Sequence, residues 1–311
     1  MMRNETKLRL NKPALFEHLG YEPHPGQLEI HLSDAPRRVV ACGVRWGKSL
    51  CAAFEAIAAA LQPVESSLGW VVAPSFELCD RVFGEVHRVV EEHLSHRIVL
   101  LRAKRRIVLR NMAGGLGEIR AKSAERPDSL LGEGLDWLII DEAARLNDGI
   151  WESCLSQRLV DRQGWALIAS TPKGAGWFRE LFMRVRVDLD FESWHYASWT
   201  NPHLSREAIE QERARLPAEV FGQEYGAEFL DGAQRLCGRC VLPEHEMGVA
   251  LWSQDEELLR CEECGRPVDQ NGSALGVVAA DGTVHLKTIR FPAEMLEHIW
   301  AIQEGDAGAA A

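Results

Sequence analysis

Ala41-Cys42-Gly43-Val44-Arg45-Trp46-Gly47-Lys48-Ser49 follows an apolar run, Arg37 to Ala41, and precedes Leu50 to Leu61, an alanine-rich run of good helix formers. Buried strand, tight loop with Gly-Lys-Ser, then helix is the arrangement of a phosphate-binding P-loop. Backbone N–H groups of such a loop, with the positive end of the following helix, face a phosphate. Lys48 is expected to reach the β- and γ-phosphates of a nucleotide, and the Ser49 hydroxyl to hold Mg²⁺. The spacing departs from the standard pattern in one respect. The position five residues before Gly47 is Cys42, and the glycine is shifted to Gly43.

A second signal lies downstream. Leu135-Asp136-Trp137-Leu138-Ile139-Ile140-Asp141-Glu142 is a continuous apolar run, as suits a strand buried on both faces, and it ends in two carboxylates. Ligands of open α/β sheets sit outside the carboxyl ends of the strands. Asp141 is there to hold Mg²⁺, and Glu142 to orient and polarise an attacking water. Trp165 to Pro172 is another buried strand ending in Ser170 and Thr171. Those hydroxyls either sense a γ-phosphate or cap a turn. Leu68 to Pro74 and Phe191 to Ser198 read as further strands. Arg97 to Leu101, Arg105 to Arg110 and Gly117 to Lys122 are shorter ones, with a hairpin turn at 111–115. Helices are expected over 76–92, 150–160, 178–187, from 206 behind an N-cap at Ser205, and over 217–229. Strands alternating with helices predict an α/β fold with a mostly parallel sheet.

Residues 1–36 read as an approach segment. Pro23, Pro25 and Gly26 predict an extended or turning entry rather than a helix. Gln27 carries a donor and an acceptor that could read adenine, or it lies in a plain surface turn.

The 311 residues are 46% hydrophobic, enough for a full core, with a net charge of -11. That acid excess argues against a protein that coats DNA non-specifically, though not against a local basic face. Arg102, Lys104, Arg105, Arg106 and Arg110 form the one basic stretch. No apolar run is long enough for a membrane span, and residues 1–12 lack the apolar stretch of a secretory signal, so the cytoplasm is expected.

Of eight cysteines, Cys42, Cys51, Cys79 and Cys154 are scattered, as small packing residues are. Cys237, Cys240, Cys261 and Cys264 form two C-x-x-C pairs separated by twenty residues, the spacing of a structural Zn²⁺ site. Four thiolates complete a tetrahedron and leave no position for a substrate water. A composition shift near Asp231 divides the chain into an ATPase-like part, 37–231, a zinc-binding tail with a ribbon-like fold, 232–304, and a Gly/Ala end, 305–311. A hairpin over 276–286 is expected in the tail.

Taken together, Tyr21-x-Pro23-x-Pro25-x-Gln27-x-x-x-His31, Gly43 to Ser49, Val72-Ala73-Pro74, Asp141-Glu142-Ala143, Ser170-Thr171-Pro172-Lys173-Gly174, Trp199-Thr200-Asn201-Pro202 and Gln223-Glu224-Tyr225-x-Ala227-Glu228-Phe229 resemble the ATPase part of phage large terminase subunits. The resemblance covers roughly residues 18 to 231. It implies a RecA-like P-loop ATPase that uses ATP and Mg²⁺ to pump double-stranded DNA through a portal protein into an empty capsid. In the host cytoplasm it would work as a ring on the portal, with a small terminase subunit as partner. By position, Gln27 would contact adenine, and Gly43, Val44, Arg45, Trp46, Gly47, Lys48 and Ser49 would bind ATP. Arg45 would sense phosphate, Asp141 would serve Mg²⁺ and Glu142 would be the catalytic carboxylate. Ser170 and Thr171 would couple hydrolysis to movement. Large terminases continue into a nuclease built on a carboxylate cluster that binds two metals. No such cluster is legible after Asp231, so nuclease activity is not expected in this chain; cutting would fall to a separate subunit, or the chain does not package genomes in the usual way. Two other readings share the motifs: a superfamily-2-like helicase or remodeller, and an ATP-binding adaptor that recruits a nuclease through its zinc tail.

Overall fold

The computed structural model describes residues 10–102, 105–174, 176–186 and 188–229, and beyond them only the backbone of short strands between 235 and 286. The chain divides into two compact units, 1–229 and 230–311. In chain order the first unit runs α1 (Lys12–His18), α2 (Pro25–Leu32), β1 (Arg37–Cys42), α3 (Lys48–Ala60), β2 (Ser66–Ala73), α4 (Phe76–His93), β3 (Ile98–Arg102), β4 (Arg106–Arg110), β5 (Leu116–Ser123), β6 (Trp137–Asp141), β7 (Trp165–Ser170), α5 (Trp177–Met183), β8 (Phe191–Tyr196), α6 (Arg206–Arg215) and α7 (Ala218–Glu224).

The eight strands form one sheet in the order β3-β4-β5-β2-β6-β7-β1-β8. From β5 to β8 every neighbouring pair is parallel, and β3 and β4 add an antiparallel edge. The α/β reading with a mostly parallel sheet therefore holds. Strand periodicity splits the core in two. Val40 and Cys42 face one layer, containing α3 and α4, while Val39 and Ala41 face the other, containing Trp151, Leu155 and α5. Helix α3 is buried almost all round, and its alanines let the sheet, α4 and the N-terminal helices approach it closely.

Three stretches differ from expectation. The N-terminal segment is helical where an extended entry is predicted. Pro25 occupies the first turn of α2, where its missing N–H costs nothing and its fixed φ suits the helix. The His24 side chain accepts from Gln27 N–H, and the Gln27 side chain accepts in return from His24 N–H, a capping box. The second is 150–160, which coils as a π turn (Trp151–Leu155) followed by a 3-10 turn (Ser156–Leu159). The Arg158 carbonyl accepts from Leu135 N–H at 2.6 Å, so the segment is tied to the approach of β6. The wide turn seats Trp151, Cys154 and Leu155 together on the sheet. Helix α7 ends at Glu224 rather than continuing to 229.

In the second unit, Arg235–Leu236, Val249–Ser253, Leu258–Cys261 and Pro267–Val268 form an antiparallel sheet. Gly276–Val278 pairs antiparallel with Val284–Leu286, in keeping with the hairpin reading. Cys237, Cys240 and Cys264 lie outside the described residues, as does the side chain of Cys261, so the zinc site and its ribbon fold belong to the sequence reading alone. Among the described residues no helix is long and apolar enough to cross a membrane.

Candidate active site

Register brings the site together. Asp141 on β6 pairs level with Ala169, and Ser170 on β7 pairs level with Ala41 on β1. Asp141, Ser170 and the start of the phosphate loop therefore share the carboxyl edge of three adjacent strands. Lys48 and Ser49 begin α3 directly above that edge.

The Ser49 hydroxyl donates 2.8 Å to Asp141 Oδ2, and the Glu142 N–H donates to Asp141 Oδ1 at 3.1 Å. Asp141 is fully buried. Burial, with the Glu142 charge added, raises its pKa above the ordinary carboxylate value, against the pull of Lys48 and Ser49. A hydroxyl and a carboxylate converging at the mouth of a loop with a nearby ammonium fit a Mg²⁺ held partly through water. Lys48 Nζ is 3.3 Å from Glu142 Oε1 and donates to Thr171 Oγ1 at 3.5 Å. Burial works against its ammonium, but the negative groups beside it prevail and hold its pKa above that of an ordinary lysine. The Cys42 thiol beneath the loop is pushed by burial up to about 12.

Glu142 itself has φ 55° and ψ 41°, a left-handed conformation that non-glycine residues adopt sparingly and that clusters at functional sites. Its carboxylate meets Arg145 Nε at 3.2 Å and Arg81 Nη1 at 3.7 Å as well as Lys48. The Ser170 hydroxyl accepts from Ala144 N–H at 3.1 Å and donates to the Thr171 carbonyl at 2.8 Å. The end of β7 is thereby linked to the segment behind Glu142 on one side and, through Thr171, to Lys48 on the other.

The phosphate loop is held from three directions. Gly43 N–H donates to the Tyr196 carbonyl, and Val44 N–H donates 2.7 Å to the Glu224 carbonyl. Ser198 Oγ donates to the Val44 carbonyl at 2.6 Å and Asn201 Nδ2 to the Arg45 carbonyl at 3.0 Å. His24 Nε2 donates to the Trp46 carbonyl at 3.0 Å. Trp46 donates its indole N–H to Thr200 Oγ1 and stacks on Tyr196 with ring centroids 4.7 Å apart. Gly47 has φ 108°, which favours glycine, and a Cβ there would meet Gln27 Nε2 at 2.6 Å. Gly43 is packed against Ser198 and the Tyr225 carbonyl, which explains a glycine one place later than the standard spacing.

Gln27, expected to contact adenine, lies against the phosphate loop. It is 3% exposed, its Oε1 accepts from His24 N–H, and its Nε2 donates to the Gly47 carbonyl at 3.1 Å. Each end of the amide makes one bond to backbone, one of them in the phosphate loop. The basic stretch is also partly neutralised: Arg105 pairs with Asp80, and Arg106 with Glu118. Arg81 and Arg145 escaped the sequence reading because they stand outside every motif; the signal that finds them is their shared distance to Glu142.

Val44, Arg45, Gly47, Lys48, Ser49, Leu50, Arg81, Glu142, Arg145 and Thr171 line an open cleft of about 750 Å³. Fold and site together put a Gly-Lys-Ser loop and two carboxylates at the carboxyl edge of a mostly parallel α/β sheet. No family model matches the chain. It is 38% identical to the large terminase subunit of Thermus virus P23-45 over an alignment covering 77% of this chain and 56% of that protein. It is 29% identical to the large terminase subunit of Escherichia phage T5, covering 71% of this chain and 51% of that one. Among solved structures, the ATPase domain of the large terminase of Thermus phage P74-26 superposes with a TM-score of 0.62 at 38% identity, over 72% of this chain and all of that domain. The bacteriophage HK97 large terminase, at 14% identity and a TM-score of 0.56, shares the fold. The chain belongs to the phage large terminase family. It spans about half the length of the curated relatives it matches.

Proposed function

We propose that this chain is the ATP-hydrolysing motor part of a phage terminase, which translocates double-stranded DNA into a procapsid. The observation that carries the reading is the convergence of Lys48, Ser49 and Glu142 on one cleft at the carboxyl edge of the sheet, with Asp141 bonded to Ser49 behind them. In a large terminase ATPase fold, that set supports phosphoryl transfer to water.

Loop N–H groups and Lys48 bind the phosphates, with Arg45 beside them. Ser49 and Asp141 would hold Mg²⁺, which would supply positive charge to offset that developing on the phosphates. Glu142 is the general base that orients the attacking water. Ser170 and Thr171 couple the site to movement through Ala144 and Lys48. Gln27 orders the loop through Gly47. Its amide keeps one N–H and one carbonyl lone pair for an adenine contact beside these bonds.

Double-stranded DNA, a portal protein, a small terminase subunit and a homo-oligomeric ring on the portal complete the proposal, with a separate nuclease as a further partner. The four tail cysteines would hold one structural Zn²⁺. The reading is tested by ATP turnover of the full chain with and without double-stranded DNA. Turnover stimulated by DNA supports a translocating motor. Nucleotide binding without turnover favours the adaptor reading instead.

A further inference from the structure

The cleft carries more positive charge than the phosphate loop supplies. Arg45, Lys48, Arg81 and Arg145 all line it, against the single carboxylate of Glu142; Asp141 lies behind Ser49. Three of those cations converge on Glu142. Lys48 Nζ and Arg81 Nη1 approach Oε1 at 3.3 and 3.7 Å, and Arg145 Nε donates to Oε2 at 3.2 Å. The Glu142 side chain is 7% exposed, whereas those of Arg81 and Arg145 are 59% and 48% exposed. Both arginines reach inward from solvent, Arg81 from α4 and Arg145 from the turn after β6.

A carboxylate that fully engages the phosphate-loop lysine cannot also orient a water. A lysine held by that carboxylate is not free for a phosphate. The three cations gather around an anion at the position where Lys48 must meet the terminal phosphate of a nucleotide. Guanidinium groups suit both occupants, since their donors match carboxylate and phosphate oxygens equally.

We infer that Arg81 and Arg145 are γ-phosphate-binding residues, and that Glu142 occupies the phosphate's place until a nucleoside triphosphate displaces it. The inference rests on the ATPase reading above and deepens it. Arrival of the γ-phosphate gives Lys48, Arg81 and Arg145 a more highly charged partner and releases the Glu142 carboxylate to face water. A diphosphate lacks the group that makes this exchange, so the arginines discriminate triphosphate from diphosphate.

Titration calorimetry of the full chain with ADP and with ATPγS, each with Mg²⁺, tests this. Arg81→Ala and Arg145→Ala should each weaken ATPγS binding about 10-fold, the worth of one hydrogen bond to a charged group, while ADP affinity stays within about 2-fold. Arg145→Lys should recover part of the loss. Glu142→Gln removes the competing charge and should tighten ATPγS but not ADP. Equal losses for both nucleotides, no loss for either, or a Glu142→Gln variant with unchanged ATPγS affinity would overturn the assignment. Wild-type protein that binds neither nucleotide defeats the ATPase reading itself, an outcome distinct from these. Melting curves of the variants keep the comparison to folded protein, and the exposure of both arginines makes their truncation tolerable.

Discussion

The backbone N–H of Val44, inside the phosphate loop, donates 2.7 Å to the carbonyl of Glu224, the last residue of α7. The final carbonyls of a helix have no partner within it. Here one is satisfied by the loop, and the next, of Tyr225, by Ser198 N–H. Ser198 in turn donates its hydroxyl to the Val44 carbonyl. Phe221 stacks between Trp199 and Tyr225, which makes this corner a packed unit. A shift of the loop around a phosphate must therefore move the end of α7 or break these bonds. That is a direct route from nucleotide state to the α6–α7 region.

The tightest point of this junction is Gly43. A Cβ there would lie 2.4 Å from Ser198 Oγ and 2.5 Å from the Tyr225 carbonyl, and the second is backbone that cannot rotate away. Gly43→Ala should cost about 1–3 kcal/mol of stability, the usual range for overpacking. Thermal unfolding should fall by several degrees, with weakened nucleotide binding. An unchanged melting temperature would mean the junction is looser than described.

Gln27→Ala removes one member of the capping box and the bond to Gly47. Loss of a cap costs about 1 kcal/mol. If loop ordering is its main work, binding of ATP and GTP should weaken alike. Loss of selectivity for ATP over GTP, with stability intact, would restore the adenine contact as its main role.

A buried charge cluster under α3 controls stability. Glu55 is fully buried and meets Lys12 Nζ at 2.8 Å, Arg38 Nη2 at 2.7 Å and His31 Nδ1 at 2.7 Å. Tyr21 donates to His31 Nε2 at 3.1 Å, which fixes the neutral tautomer. Removing one partner of a buried ion pair costs about 3–5 kcal/mol, so Glu55→Ala should unfold the chain or nearly so. The same cluster sets acid sensitivity. Burial alone would raise the Glu55 pKa, but Arg38, Lys12 and His31 hold it well below the ordinary 4.5. Its stabilisation is complete above that value and is lost as pH falls toward the folded pKa. Burial lowers the His31 pKa below 6.5, so the unfolded chain takes up a proton that the folded imidazole refuses. Denaturant titrations should show stability falling from below about pH 6.5 and more steeply below 4.5. A flat profile down to pH 4 would contradict the cluster's role.

Much of this was legible in the sequence because its signals are local. Val39 to Ala41, Trp137 to Ile140 and Ala166 to Ala169 are apolar throughout, as strands buried on both faces must be. Gly47-Lys48-Ser49 and Asp141-Glu142 carry their chemistry in adjacent letters. The α2 helix was hidden because Pro25 is a breaker everywhere but the first turn, and only the His24–Gln27 pairing reveals which case applies. The Glu55 cluster was hidden because its partners lie at positions 12, 31 and 38, joined only by packing. Arg81 and Arg145 look like ordinary surface arginines until the fold carries them to Glu142.

The tail gives an independent prediction. Elemental analysis of the purified chain should find one Zn²⁺, and Cys261→Ser should release it while the 1–229 unit keeps its unfolding transition. Metal-free protein from zinc-supplemented medium would remove the zinc assignment.

The central claim is hydrolysis of ATP with Glu142 as the base, and steady-state phosphate release by wild-type and Glu142→Gln protein, with saturating ATP and Mg²⁺, tests it most directly. The wild type should turn over, and the amide should lower the rate about 10²–10⁴-fold, the loss that accompanies removal of a positioned general base. Turnover by the Glu142→Gln protein within a few-fold of the wild type would contradict the assignment.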